Sequence, residues 1–360
     1  MVVHGTGNID QQGEFVLADR TEDELAAFEH ELDHASMMGE WQVPRKPEPD
    51  PGGVPHLWKW GMVYDKMLKA SDVLSLEMGA RRSLLFINPA ELPNRGSILG
   101  VRVGLQMMNA SEIAFPHRHT MAAIRFVLKG SAHTYTVVND QKLYMEDWSL
   151  ILTPPQMWHH HENHGSDKVI WLDAIDTPFV NSVNALFYEP YPDDREPIVG
   201  RDSAEVNARV GWVRPSWEPA PEGDLPIVYR WGDTERALKA LAGTPGSLYD
   251  GILLKYVNPL TGGPVLPTFS CSVQMLRPGE KTRSHRHTFG AVYHVLRGHG
   301  STQAGDMTLD WEAGAGDSFV VPNWAWHAHR NLNPDQDALL FVVDDEPVLT
   351  AARLTREESG

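Results

Sequence analysis

The sequence predicts an all-β protein of two β-barrels in tandem, with an N-terminal helical arm and a mixed linker. The tetrapeptide His-Arg-His-Thr occurs at 117–120 and again at 285–288, an offset of 168 residues. Short β-type runs separated by turn residues fill both copies, which is typical of sandwiches and barrels. The chain of 360 residues is long enough for two domains of ordinary size. The positions of the first copy that recur at this offset are His117, His119, Gly130, Pro154, Trp158, His159, His161 and Asn163.

The helical arm is predicted to occupy residues 1–82. Thr21-x-x-Glu24 is a capping-box pattern, and it begins a helix that we expect to end near Met38. A second helix is expected at about 61–69. The apolar stripe of the first helix consists of Leu25, Phe28, Leu32 and Ala35.

The two β domains are predicted at 83–185 and 267–360. The linker between them, 186–266, is rich in proline, glycine and acidic residues and contains a helix at about 234–241. Periodic runs of apolar and β-branched residues predict the strands of the first domain. These strands are 84–87, 100–107, 124–128, 134–138, 150–153 and 169–174.

Composition and charge exclude several classes of partner. The chain is 42% apolar and 22% charged, and its 48 acidic against 31 basic residues give a net charge of −17. Such a surface repels nucleic acid and anionic lipid. The single cysteine, Cys271, cannot form an internal disulfide, and no stretch of 18 apolar residues occurs. We therefore expect a cytoplasmic enzyme or binding protein without nucleic-acid or membrane partners.

The histidine spacing indicates a metal site in each half. Residues i and i+2 of a strand point to one face, so His-x-His offers two imidazoles side by side. A third histidine follows forty residues later in each copy. Three neutral imidazoles leave coordination positions open, which suits a redox-active ion such as Fe(II), although Zn²⁺ also fits and spacing does not separate the two.

The repeated residues match the two short motifs of the cupin superfamily, Gly-x5-His-x-His-x3-Glu-x6-Gly and Gly-x5-Pro-x-Gly-x2-His-x3-Asn. This resemblance implies a bicupin of two jelly-roll barrels. The glutamate position is Ala123 in one copy and Ala291 in the other, so each site is expected to hold three histidines and no carboxylate. Of the three consecutive histidines 159–161, His159 has the motif spacing. His160 points to the opposite face of the strand, and we expect it at the surface. The expected ligands are His117, His119 and His159, with a candidate second site at His285, His287 and His327.

Charged groups beside the metal are expected only in the first copy. By strand alternation, Arg125 is expected to face the barrel interior, as His117 and His119 do. The second copy has Tyr293 at the position of Arg125 and Phe341 at the position of Asp173. A guanidinium there can hold a carboxylate through two hydrogen bonds.

The remaining candidates each have a structural alternative. Arg81 and Arg82 add a second cationic contact or form solvated ion pairs. His161 and Asp173 are expected to relay the proton of the substrate hydroxyl. The alternative is that Asp173 only orients a metal-bound imidazole. Gln106 contacts a ligand or joins a structural network.

The combination of these residues resembles the gentisate 1,2-dioxygenase family, which includes salicylate and 1-hydroxy-2-naphthoate dioxygenases. The resemblance covers about Pro55 to Val348 and rests on Val54-Pro-His-Leu-Trp-Lys-Trp60, Arg81-Arg82, Asn88-Pro89, His117-Arg-His-Thr-x4-Arg125, Thr153-Pro-x3-Trp-His-x-His161, Trp171-x-Asp173, Asn258-Pro-x-Thr-Gly-Gly263 and Val321-Pro-x-Trp-x-Trp-His327.

The resemblance implies an Fe(II)-dependent enzyme with one iron per subunit in the first barrel. Its substrates would be dioxygen and a small aromatic acid, with the ring opened between the carboxylate-bearing and hydroxyl-bearing carbons. It further implies that Arg125 and Arg81 hold the carboxylate, that Gln106 contacts substrate, and that His161 with Asp173 assists proton transfer. A homo-oligomer, by resemblance a tetramer, is expected.

The chain departs from the family in the pocket. Met121-Ala122 replaces a polar pair and Arg102 stands where an aromatic residue is common, so both positions are expected to affect which ring substituents fit. Two other classes of function stay open at this point. One is a metal-dependent isomerase or decarboxylase, and the other is a non-catalytic bicupin that binds a small anion.

Overall fold

The computed structural model describes residues 8–9, 15–16, 22–74, 82–193, 197–198, 200, 203–211, 214–219, 223, 225–312 and 316–360. The chain divides into two compact units, Met1–Pro49 and Asp50–Gly360. Within the described residues, no helix is long and apolar enough to cross a membrane.

The first unit contains one short hairpin and one helix. Strand β1 (Asn8–Ile9) pairs with β2 (Phe15–Val16), and helix α1 spans Glu22–His34. The helix has acidic residues in its first turn and His34 in its last, as the helix dipole favours. The predicted helix is confirmed, although it ends four residues earlier than expected, and Thr21 lies outside the described residues.

The second unit contains the two barrels. Its helices are α2 (Trp60–Val73), α3 (Thr177–Ser182), α4 (Ser203–Val210), α5 (Trp231–Leu241) and α6 (Glu346–Ala351). Its first strands are β3 (His56–Trp58), β4 (Arg82–Phe86), β5 (Arg102–Met108), β6 (His117–His119), β7 (Ala123–Lys129), β8 (Thr134–Val138), β9 (Gln141–Tyr144), β10 (Leu150–Thr153), β11 (His159–Asn163), β12 (Val169–Ile175), β13 (Tyr188–Pro190) and β14 (Val228–Tyr229). The later strands are β15 (Ile252–Lys255), β16 (Ser270–Leu276), β17 (His285–His287), β18 (Ala291–Arg297), β19 (His299–Ala304), β20 (Met307–Glu312), β21 (Ser318–Val321), β22 (His327–Asn331), β23 (Ala338–Asp344) and β24 (Glu357–Ser359).

Each barrel consists of a six-stranded and a five-stranded antiparallel sheet. In the first barrel the orders are β14-β10-β7-β12-β5-β4 and β13-β6-β11-β8-β9. In the second they are β15-β16-β23-β18-β21-β3 and β20-β19-β22-β17-β24. The all-β prediction with two barrels is confirmed.

Several strands pair far from their position in the sequence. Strand β3, from the range predicted as the helical arm, pairs with β21 of the second barrel. Strands β14 and β15, both from the range predicted as the linker, close the edges of different barrels by pairing with β10 and β16. Each barrel therefore includes strands from outside its predicted range.

An apolar core joins the two barrels. Along β7, Ile124 and Phe126 belong to this shared core, whereas Val127 belongs to the core inside the first barrel. The ring of Phe126 stacks on that of Phe341 with centroids 3.9 Å apart. The alternation along the strand turns Arg125 toward the barrel interior.

Two buried carboxylates link the barrels near this core. Asp176 accepts hydrogen bonds from the Ala122 amide at 2.9 Å and from the Thr268 hydroxyl at 2.6 Å. Asp345 accepts from the amides of Gly100 and Gly290 at 2.9 and 2.8 Å. Burial raises the pKa of both carboxyl groups to about 6. These contacts hold the two barrels in a fixed relation.

Candidate metal centre and its surroundings

Three buried histidines of the first barrel converge on one point. His117 and His119 lie on β6 and His159 on β11, and one nitrogen of each ring lies within 4.8 Å of the others. Their Nδ1 atoms lie 3.1, 2.9 and 2.9 Å from the carbonyl oxygens of Phe115, Met121 and Met157. A carbonyl oxygen only accepts, so each Nδ1 carries the proton and each Nε2 keeps its lone pair. This donor set fits a transition-metal ion.

The second barrel repeats the cluster. His285, His287 and His327 are buried, and their nitrogens also lie within 4.8 Å of one another. The Nδ1 atoms of His287 and His327 donate to the carbonyls of Phe289 and Ala325 at 2.7 and 3.0 Å. Burial lowers the pKa of His287 to about 3 and that of His327 well below its usual range.

A buried arginine faces the interior of the first barrel. Arg125 is 1% exposed, and its Nε donates to Nε2 of His161 at 3.3 Å. Its Nη1 donates to the Thr153 hydroxyl, and the Thr136 hydroxyl bonds to Nδ1 of His161. Because the guanidinium only donates, Nε2 of His161 is the acceptor and that imidazole is neutral.

Asp173 and Gln106 lie on the same interior face. Asp173 on β12 is in register with Arg125 on β7, and Gln106 on β5 is in register with Trp171 on β12. Gln106 is buried and Asp173 is half-buried. The Trp171 ring lies 5.1 Å from that of His161. By strand register and parity, Arg125, His161, Asp173 and Gln106 face the interior of the first barrel, as the triad does.

The other predicted substrate contacts are placed differently. Arg82 is buried and makes a two-pronged ion pair with Glu112 at 2.5 and 2.6 Å, while Arg81 lies outside the described residues. Arg102 donates to the carbonyls of the turn at 94–95. Met121 is buried, and its carbonyl holds the His119 ring.

The counterparts in the second barrel differ from the expectation at one position. Arg125 is in register with Asp173, whereas Tyr293 is in register with Val342. The prediction that Phe341 is the counterpart of Asp173 is therefore wrong, because Val342 occupies that position. The second copy has one extra residue before β23, which shifts the offset to 169 and turns Phe341 into the core between the barrels.

The expectation that His160 lies at the surface is also wrong. Its side chain is 1% exposed, and its Nε2 lies 3.0 Å from Oε1 of Glu162. Glu162 is also bonded by the Tyr135 hydroxyl at 2.6 Å and by His164 at 2.5 Å. These partners, His160 first, lower the pKa of Glu162 to about 2. The sequence analysis missed this cluster, whose only signal was the alternation along His159–Asn163.

Comparisons with known proteins agree with this geometry. The cupin domain model matches residues 104–175 and 272–344. A 5-aminosalicylate 1,2-dioxygenase of Comamonas sp. is 39% identical over 350 residues, covering 95% of this chain and 92% of that protein. A 1-hydroxy-2-naphthoate 1,2-dioxygenase of Nocardioides sp. (strain KP7) is 37% identical, covering 93% and 87%.

A solved structure has the same architecture. The salicylate 1,2-dioxygenase from Pseudaminobacter salicylatoxidans superposes with a TM-score of 0.85 at 29% identity, covering 95% of this chain and 99% of that chain. A second structure of that enzyme contains gentisate. The chain belongs to the gentisate 1,2-dioxygenase family of bicupin ring-cleaving dioxygenases.

Proposed function

We propose that this protein cleaves the ring of gentisate or a related, substituted 2-hydroxybenzoate, with Fe(II) bound to His117, His119 and His159. The observation that carries the proposal is the buried arginine, Arg125, which shares an interior with a three-histidine cluster. The relatives named for gentisate, 5-aminosalicylate and 1-hydroxy-2-naphthoate support the substrate class.

Fe(II) held by His117, His119 and His159 would supply open coordination positions for the substrate and dioxygen and a path for electrons from the aromatic ring to dioxygen. We propose one iron per subunit, in the first barrel. The ring then opens between the carboxylate-bearing and the hydroxyl-bearing carbon.

Arg125 is proposed to hold the substrate carboxylate. Its hydrogen bonds to Thr153 and His161 fix the plane of the guanidinium before substrate arrives. Preorganised donors spend no free energy on reorganisation during the reaction. A guanidinium can donate two parallel, charge-assisted hydrogen bonds to a carboxylate, which suits it to this role.

His161 and Asp173 are proposed to handle protons. Nε2 of the neutral His161 is proposed to accept the proton of the substrate hydroxyl after exchanging its hydrogen bond from Arg125 for one from that hydroxyl, while the Thr136 hydroxyl keeps the ring in place through Nδ1. Asp173, in register with Arg125 on the neighbouring strand, is proposed to assist this proton transfer.

Gln106, Met121 and Arg102 are proposed to meet the ring and its substituents, and Arg81 is proposed to hold the carboxylate together with Arg125. Gln106 and Met121 are buried, and Arg102 lies near the start of β5. The relatives are named for 5-aminosalicylate and 1-hydroxy-2-naphthoate, which differ in the size and substitution of the ring. We therefore propose that these ring-contacting residues determine substrate specificity. We also propose a cytoplasmic homo-oligomer, a tetramer by resemblance to the family.

The test is a substrate panel under controlled oxygen. Protein loaded with Fe(II) without air would be mixed with gentisate, salicylate, its amino, nitro and halogenated forms and 1-hydroxy-2-naphthoate, and then exposed to oxygen. We expect one dioxygen consumed per ring lost for at least one substrate. Carbon dioxide released without oxygen uptake would show a decarboxylase, and binding without turnover would show an anion-binding protein.

A further inference from the structure

We propose that the second barrel holds its own divalent transition-metal ion and that Asp250 is a carboxylate ligand of that ion beside His285, His287 and His327. The two barrels would then bind metal through different donor sets. The proposal does not depend on ring cleavage in the first barrel.

The first support is an imidazole nitrogen that lacks a hydrogen-bond partner. His327 is 1% exposed, and its Nε2 has no such partner among the described residues. Leaving a buried nitrogen unsatisfied costs free energy, and buried polar groups in folded proteins are nearly always satisfied. The same ring donates through Nδ1 to the Ala325 carbonyl, so Nε2 carries the lone pair that an ion requires.

The second support is the position of Asp250. Its Oδ1 lies 3.8 Å from Nε2 of His285, and its Oδ2 accepts a hydrogen bond from the Ser247 hydroxyl at 2.8 Å. Two atoms that bind one ion at about 2.1 Å can lie up to roughly 4.2 Å apart. An outer hydrogen bond that orients a carboxylate is a regular feature of metal sites. Ser247 therefore positions one oxygen of Asp250 for a place beside the triad.

The third support is the charge of the cavity. A space of about 200 Å³ beside His285 and His287 is lined by Asp250, Asp344, Glu346 and Glu357. Its one lysine, Lys255, is paired with Glu346. Tyr293 and Val342 stand where the first barrel has Arg125 and Asp173. Such a cavity attracts a cation and disfavours an aromatic carboxylate.

The motif alone did not reveal this ligand. The cupin glutamate position is Ala291 in the second copy, which predicted a site without a carboxylate. Asp250 comes instead from the turn before β15, the strand that closes the edge of the six-stranded sheet.

The experiment counts metal in a full-length chain whose first triad is removed by His117→Ala and His119→Ala. The protein would be stripped with a chelator and dialysed against Mn(II), and bound manganese would be measured by mass spectrometry. We expect about one equivalent per chain. Adding Asp250→Asn should weaken binding at least about tenfold, because an amide is a poorer ligand than a carboxylate. Adding His327→Ala should abolish it.

The matched control is Glu357→Gln, which removes a carboxylate from the same cavity. It should change Mn(II) affinity less than about threefold. Equal effects of Asp250→Asn and Glu357→Gln would show that cavity charge, and not ligation, accounts for binding and would overturn the assignment of Asp250. Absence of any bound equivalent would overturn the site itself.

A second measurement covers the case in which the first-triad variant does not fold. The otherwise unaltered chain should bind two equivalents of Mn(II), Asp250→Asn should weaken the binding of only one of them at least about tenfold, and His327→Ala should leave one. One equivalent in the unaltered chain would contradict the proposal. Because the readout is metal content, failure of ring cleavage in the first barrel would leave the result unchanged.

Discussion

The two barrels have the same histidine triad on equivalent strands, β6 and β11 in the first and β17 and β22 in the second, but surround it with different side chains. In the first barrel the facing sheet contributes Arg125 and Asp173, and in the second it contributes Tyr293 and Val342. The second cavity is instead lined by several carboxylates. The scaffold therefore fixes where the imidazoles meet, while the opposite sheet decides which charge can approach them.

The outer faces of the histidine strands differ as well. Along β11 the outward residues are His160 and Glu162, which form a buried polar cluster. Along β22 the same positions are Ala328 and the exposed Arg330. The barrel proposed to be catalytic therefore has polar contacts on both faces of its third-histidine strand, which constrains the orientation of that strand.

Among the residues that face the triads from the opposite sheet, Arg125 is expected to have the largest effect on turnover. Removing one side of a buried arginine–carboxylate pair costs roughly 3–5 kcal/mol. Arg125→Ala should therefore lower kcat/KM by on the order of a hundredfold or more, since about 1.4 kcal/mol is a factor of ten. Lysine should rescue only part of the loss, because a point charge does not reproduce the two-pronged contact. Steady-state kinetics with normal iron content checks this.

The control is a catechol-type substrate that lacks the carboxylate. Arg125→Ala should hardly change its already poor turnover. Equal losses for both substrates would show that Arg125 supports the barrel and does not hold the substrate.

A smaller effect is expected on stability at Glu162. Its pKa in the folded protein is about 2, below the ordinary 4.5, so the carboxylate stabilises the fold above pH 4.5 and this stabilisation is lost as the pH falls toward 2. Glu162→Gln should lower the free energy of unfolding at pH 7 by about 2–3 kcal/mol and flatten its pH dependence between these values. Denaturant titrations at several pH values measure both.

The matched control lies in the second barrel. Arg330→Gln changes the equivalent, exposed position of β22 and should alter stability by less than about 0.5 kcal/mol. Equal losses at the two positions would mean that the polar cluster of the first barrel adds nothing specific.

The smallest effect is expected at His160. Its ring is buried and bonded to Glu162, so His160→Ala should cost about 1–2 kcal/mol of stability. Iron content and ring cleavage per folded protein should stay normal, because the ring points away from the triad. If His160→Ala folded normally by circular dichroism but bound no iron, the assignment of His159 and not His160 as the third ligand would be wrong.

Much of the scaffold follows from local sequence patterns. The runs at 134–138 and 150–153 are the strands β8 and β10 with the same limits, and the helix at 234–241 is the later part of α5. Strand β3 could not be predicted, because its partner β21 lies more than 250 residues away in the chain and three residues carry no periodic signal.

The candidate site was predictable where repeat and strand parity act together. The repeat and strand parity together place the six histidines, and parity alone places Arg125. In the structure the nitrogens of each triad lie within 4.8 Å of one another, and Arg125 is in register with Asp173. A single extra residue before β23 was enough to misplace the counterpart of Asp173. The burial of His160 with Glu162 and the position of Asp250 in the turn before β15 depend on tertiary contacts that no local pattern encodes.

Ring cleavage is proposed to take place in the first barrel alone. The most direct test is oxygen uptake and ring loss by the variant His117→Ala, His119→Ala, which keeps the second triad intact. We predict that this variant loses the iron of the first barrel and that its turnover falls on the order of a thousandfold. Turnover that stays above about half of the unaltered rate would instead place the reaction in the second barrel.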